Sequence, residues 1–107
     1  MKLWIDDVRP APTEGNWIAI QSVNEAKEII RFVEDICSSL GYFCTIELID
    51  LDHDAGEYAN DGGDYIKLLD WLEETGRNYP IRIHSMNPVG VANMRRIIER
   101  NRWKEVR

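Results

Sequence analysis

Thr45-Ile46-Glu47-Leu48-Ile49-Asp50-Leu51 runs directly into Asp52-His53-Asp54-Ala55-Gly56, and this stretch decides the fold. Residues 45–51 are apolar and β-branched, the pattern of a buried central strand. That strand stops abruptly at three titratable side chains. The same shape recurs on either side of it. Upstream, Leu3-Trp4-Ile5 is a short apolar run that stops at Asp6-Asp7. Downstream, Ile81-Arg82-Ile83 stops at His84-Ser85. Trp17 to Ile20 reads as a further short strand, and Trp103 to Val106 as a last one.

Amphipathic stretches lie between these runs. Ser22 and Glu25 have the spacing of a capping box. Val23, Ala26, Ile30, Val33, Cys37 and Leu40 then keep helical spacing, with Gly41 suited to the C′ position. Tyr65, Leu68, Leu69 and Leu72 form a second stripe, bounded by Gly76 and Pro80. Asn87-Pro88 opens a third helix, Asn as cap and Pro at its first position. Val91, Met94, Ile97 and Ile98 make its buried side. Strands joined by helices imply a mostly parallel sheet with right-handed crossovers. The expectation is one three-layer α/β domain over residues 1–107, with about five strands. The first connection, Asp6 to Asn16, holds Pro10, Pro12 and Gly15 and is loop, so a regular first helix is lacking.

Composition narrows the function classes. The chain has 107 residues, 44% of them hydrophobic and 30% charged, which excludes a disordered or fibrous protein. A domain of this length buries roughly 65% of its unfolded surface, enough for a core without staples. No apolar run approaches the ~20 residues of a membrane span. The N-terminus turns acidic at Asp6, which does not fit a signal peptide, so a cytoplasmic location is expected. Cys37 and Cys44 read as reduced thiols rather than a disulfide or a zinc framework. The net charge of −6 argues against a whole-surface nucleic-acid binder. The charge is uneven, however. Arg95, Arg96, Arg100, Arg102, Lys104 and Arg107 face only Glu99 and Glu105 in the last stretch. These cations either complement a helix dipole or form a docking face for RNA or an acidic protein partner.

Chemistry collects where the strands end. Asp6, Asp7 and Arg9 follow the first strand; Asp52, His53 and Asp54 the central one; His84, Ser85 and Asn87 the next. In a parallel sheet all three groups lie at the carboxyl edge, where open α/β folds bind ligands. Both histidines of the chain fall there. Each piece also has a structural reading: a turn for Asp6-Asp7, a hydrogen-bonded edge residue for His84, a helix cap for Asn87, an ion pair for Arg9. Crowded aspartates must be relieved by a proton, a cation or Arg. Strand alternation places Asp50 on the face of Asp52; a bend at the strand end is expected to separate them, leaving Asp50 outside the site.

Three segments together resemble the cyclic-phosphate-processing receiver-like domains, divergent relatives of two-component receivers. They are Leu3-Trp4-Ile5-Asp6-Asp7-Val8-Arg9-Pro10, Leu51-Asp52-His53-Asp54-Ala55-Gly56 and Ile83-His84-Ser85-Met86-Asn87-Pro88-Val89-Gly90. The resemblance covers nearly the whole chain. It implies a flavodoxin-like sheet of order 2-1-3-4-5 and the handling of cyclic phosphates, as in RNA end repair. It further implies that Asp6 and Asp7 match the Mg²⁺-binding acidic pair, Asp52 the phosphoacceptor, and Ser85 the Ser/Thr after strand four. The receiver's Lys-Pro after the last strand has no match, since Lys104 lies inside the predicted strand.

Two functions follow as expectations. In the first, the domain opens cyclic phosphate ends of nucleotides or RNA. Arg9, Ser85 and Asn87 with its helix N-terminus bind the phosphate, and His53 and His84 serve as acid and base. Asp52 joins them in catalysis. Asp6, Asp7, Asp52 and Asp54 are the oxygen ligands for Mg²⁺ or another divalent cation, and no organic cofactor is expected. A strand-end histidine contributes little core area, so loss of His84 is expected to leave folding intact. In the second, the domain is a signalling or ligand-binding module with Asp52 as phosphoacceptor. The partner is a phosphorylated small molecule or an RNA end, and no membrane.

Overall fold

The computed structural model describes residues 1–40 and 46–107. The predicted helix stop at Gly41, the thiol of Cys44 and the strand start at Thr45 lie outside the described residues. Four strands pair in the order β2-β1-β3-β4, all parallel: β1 Lys2–Ile5, β2 Trp17–Ile20, β3 Leu48–Leu51 and β4 Ile81–Ile83. Helix α1 spans Val23–Leu40, α2 Ile66–Glu74 and α3 Pro88–Asn101, with a short 3-10 turn at Gly56–Asn60.

The helices begin where the sequence places them, and for the predicted reason. Ser22 Oγ accepts from the Glu25 backbone N–H at 3.1 Å, and the Glu25 carboxylate reaches back to the Gln21 N–H. The Asn87 side chain accepts from Gly90 N–H at 3.0 Å, with Pro88 next to it at the first helical position.

Strand alternation then sorts the sheet into two unlike faces. Leu3, Ile5, Ile20, Ile49, Leu51 and Ile81 are fully buried, in one cluster with residues of all three helices. Leu48, on the opposite face, is buried but does not join that cluster. Every helical connection carries the chain the same way across the sheet: from β2 past β1 to β3, from β3 to β4, and from β4 outward. Right-handed crossovers therefore put all three helices on one face. Among the described residues, the connection that runs the other way, β1 to β2, is the loop. The expected three-layer architecture is thus corrected to two layers among the described residues. The uncovered face carries Lys2, Trp4, Trp17, Ala19 and Arg82, of which Ala19 and Arg82 are exposed.

The expected fifth strand is corrected as well. The chain leaves α3 through Arg102 in the left-handed region (φ 56°) and seats Trp103 in the core. It then touches β4 only around Ile81, whose N–H donates to Lys104 O and whose carbonyl accepts from Val106 N–H. The result is a single parallel bridge, Ile81 to Glu105. Glu105 is held instead by Arg95 at 2.9 Å and Arg107 at 3.3 Å.

Candidate active site at the carboxyl edge of the sheet

Asp6 is the pivot of the site. It follows β1, is 3% exposed, and sits where the chain turns into the first loop. Its Oδ1 accepts the backbone N–H groups of Val8 and Arg9, each at 2.9 Å. Its Oδ2 lies 2.9 Å from His84 Nε2. Burial alone would raise this carboxyl, but the two backbone donors and His84 hold it below its ordinary value.

His84 is held from the other side too. Its Nδ1 lies 2.6 Å from Asp50 Oδ1, and Asp50 is 2% exposed. Arg82 Nε stands 3.9 Å from the second Asp50 oxygen. Burial pushes the imidazole down, yet hydrogen bonds and charge from Asp50 and Asp6 carry it above the ordinary histidine value. Only an imidazolium can donate from both nitrogens at once. In that form the group is a carboxylate–imidazolium–carboxylate bridge tying β1, β3 and β4 together. Trp4 stacks flat on the His84 ring, centroids 3.9 Å apart and planes within 5°.

Asp7 and Asp52 complete a cluster with Asp6. One carboxylate oxygen from each of the three lies within 4.8 Å of the others. Asp52 follows β3, and its Oδ1 accepts the His53 backbone N–H at 2.7 Å. Asp7 is raised above its ordinary value by burial and then by the charges of Asp6 and Asp52. Gly56, at φ 54°, opens the 3-10 turn hard against the Asp7 carboxylate, and any Cβ there would collide with it. Arg9 does not relieve this crowding. It gives Asp6 a backbone N–H, while its guanidinium makes no ion pair among the described residues. Asp6 has His84 beside it, but Asp7 and Asp52 form no ion pair with a side chain among the described residues, and the three hard oxygen donors are a set suited to Mg²⁺.

The remaining predicted residues fall close by, in different roles. Asp54 stands apart from the cluster: it is exposed and pairs with His53 Nδ1 at 2.8 Å. Asn87 Nδ2 lies 3.4 Å from the same nitrogen. The His53 ring rests on the first turn of α3, where a Cβ on Gly90 would come within 2.5 Å of it. Ser85 Oγ accepts from Asn87 N–H at 3.1 Å, shaping the turn into α3. Ser85 lines a larger groove of about 670 Å³ with Met86, Arg95 and Arg96. Arg9 lines a smaller cavity with Trp4, Asp6 and Asp7.

Asp50 and Trp4 belong to the constellation, although the sequence set the first outside the site and showed the second only as part of a short apolar run. Asp50 pairs with Arg82 in register and meets His84, so it faces the same way as His84 and belongs to the site after all. A carboxylate inside a strand buried at all four positions was the signal that a partner had to exist.

A family model for the cyclic-phosphate processing receiver domain matches residues 1–100. The chain belongs to that family. No curated protein and no solved structure matches it. In this receiver domain His84, raised above its ordinary value, lies between Asp6 and Asp50 at the carboxyl edge of the sheet. Half of the six basic residues of the C-terminal stretch are paired within the domain: Arg95 and Arg107 to Glu105, and Arg100 to Glu73. No helix of the described residues is long and apolar enough to cross a membrane.

Proposed function

We propose that this domain hydrolyses a cyclic phosphate ester at the carboxyl edge of the sheet, with a divalent cation held by Asp6, Asp7 and Asp52. The observation that carries this reading is the cluster of three carboxylates, two of them without an ion pair among the described residues, in a chain of the cyclic-phosphate processing family. The cation, when bound there, polarises the phosphoryl oxygens and offsets charge developing on them. His53 adjoins Asp52 at the strand end. With Nδ1–H donated to Asp54, a neutral ring keeps its lone pair on Nε2, which has no partner among the described residues. That is the arrangement of an oriented general base. In the step, a water oxygen bonds to phosphorus and one ring P–O bond breaks. The water proton passes to His53 Nε2 and from there to the released alkoxide oxygen, leaving a phosphomonoester. His84, with both nitrogens bound, acts as a positioning residue: it fixes Asp6 and supplies charge, rather than exchanging protons with the substrate.

The test is incubation of the protein with a panel of nucleoside cyclic phosphates and with acetyl phosphate, with Mg²⁺ present, followed by phosphorus NMR and mass spectrometry. Ring opening supports the reading. Covalent labelling of Asp52 by acetyl phosphate without ring opening replaces it with the phosphoacceptor function.

Cation binding has its own signature. Mg²⁺ at a hundred times its dissociation constant stabilises the fold by about 2.7 kcal/mol. Asp7→Asn abolishes that response. Because the folded state raises the Asp7 pKa, its ionised form opposes folding, so the same variant melts higher than wild type in the absence of Mg²⁺. Thermal melts with and without Mg²⁺ check both signs. Gly90→Ala tests the seat of His53. The added methyl displaces the ring, lowers ring opening by about 10²-fold, and costs about 1–3 kcal/mol of stability. Turnover and melting temperature of the variant give both figures.

A further inference from the structure

We infer that the slot between β1 and β2 on the uncovered sheet face binds a nucleobase, stacked on Trp4, of the nucleotide whose phosphate lies at Asp6 and Asp7. This deepens, and rests on, the cyclic-phosphate reading of the carboxylate cluster. Trp4 is fixed before any ligand arrives. One ring face lies on His84, Trp17 meets it perpendicularly (89°) at 5.8 Å, and its indole N–H donates to Arg9 O at 2.9 Å. A locked aromatic platform loses little rotamer freedom on binding.

β4 and β2 lie on opposite sides of β1, so the indole face turned from His84 is turned toward β2. There a cavity of about 230 Å³ is lined by Trp4, Asp6, Asp7, Arg9, Ala19 and Gln21. An aromatic wall and the phosphate-processing carboxylates thus share one cavity. Ala19 pairs with Trp4 in register and offers only a methyl where a larger side chain would fill the slot. The Gln21 side-chain amide, free of partners among the described residues, presents a donor and an acceptor to a base edge. Arg9, which lines the slot, gives it the positive charge that sugar and phosphate groups require. His84 beneath Trp4 extends the stack as imidazole ring, indole and base. A packed helix is a poorer occupant, because this face interleaves Lys2 and Arg82 with its aromatic residues instead of presenting one apolar stripe.

The experiment compares adenosine 2′,3′-cyclic phosphate with glycerol 1,2-cyclic phosphate, which has no base, on the full chain with Mg²⁺. Binding is read by tryptophan fluorescence and turnover by phosphorus NMR. The nucleoside is favoured roughly 5- to 150-fold, the range base–aromatic stacking supplies. Ala19→Leu, at an exposed position where folding survives, brings that preference to within about twofold; Trp4→Phe retains part of it. A trinucleotide bearing the same cyclic end that binds no tighter than the mononucleotide identifies a free nucleotide as the ligand, and tighter binding an RNA end. Equal handling of both cyclic phosphates, or a preference unmoved by Ala19→Leu, overturns the base site while leaving ring opening intact. Absence of turnover on either compound fails the parent reading instead. In that case the binding preference and its loss in Ala19→Leu still decide the base site, and equal or absent binding of the two overturns it.

Discussion

His84→Ala will lower the stability of the domain by about 3–5 kcal/mol, the usual result of leaving a buried charge without its partner. Asp50 stays in place at 2% exposure and, among the described residues, keeps Arg82 at 3.9 Å as its one remaining ion-pair partner. This reverses the expectation that a strand-end histidine is dispensable for folding. The effect carries a pH signature. His84 is raised above 6.5 in the fold, so its contribution is full below that value and is lost as pH rises through the folded pKa. Asp6 is lowered from 3.8, so its contribution is full above that value and is lost as pH falls through the folded pKa. The melting-temperature gap between wild type and His84→Ala is therefore widest between about pH 4 and 6.5 and narrows on either side. Thermal melts from pH 3 to 10 measure it. A gap of constant size across that range would show that the bridge acts by packing against Trp4 alone.

His53→Ala will lower ring opening by roughly 10²–10⁴-fold, the span expected for loss of a general base. Its ring lies at the edge of α3 rather than in the core cluster, so the melting temperature changes little. The two histidines thus separate cleanly. Loss of His53 removes turnover from a folded protein, and loss of His84 removes stability first. Asp54→Asn tests the orientation of His53. It lowers turnover less than His53→Ala, because an amide still holds the ring at Nδ1. Turnover of all three variants, with a melt on each, distinguishes the roles.

The parts of the fold with strong periodicity were legible in the sequence. The three helices begin at Ser22, Tyr65 and Asn87 as their caps and stripes indicate, and four strands fall on the predicted runs. Layering was legible in principle. A loop in place of a helix after β1 leaves every remaining crossover on one face, so the missing element removes a whole layer rather than a piece of one. The fifth strand failed because Trp103-Lys104-Glu105 has a core anchor followed by charges, with no alternating apolar partner to extend the pairing. At the site, the convergence of strand ends correctly gathered Asp6, Asp7 and Asp52. It said nothing of which side chains would neutralise one another. That depended on Asp50 and Arg82, which lie inside strands, and on the bare face that lets Trp4 cover His84. Sequence spacing carries no signal for a contact across three strands.

The most direct measurement follows adenosine 2′,3′-cyclic phosphate by phosphorus NMR in the presence of chelator-treated protein, before and after addition of Mg²⁺. The cyclic resonance is predicted to persist without the cation, to convert to a phosphomonoester once Mg²⁺ is added, and to persist again with Asp52→Asn. A cyclic resonance unchanged by Mg²⁺, with acetyl phosphate labelling Asp52 in the same sample, would contradict ring opening at this cluster.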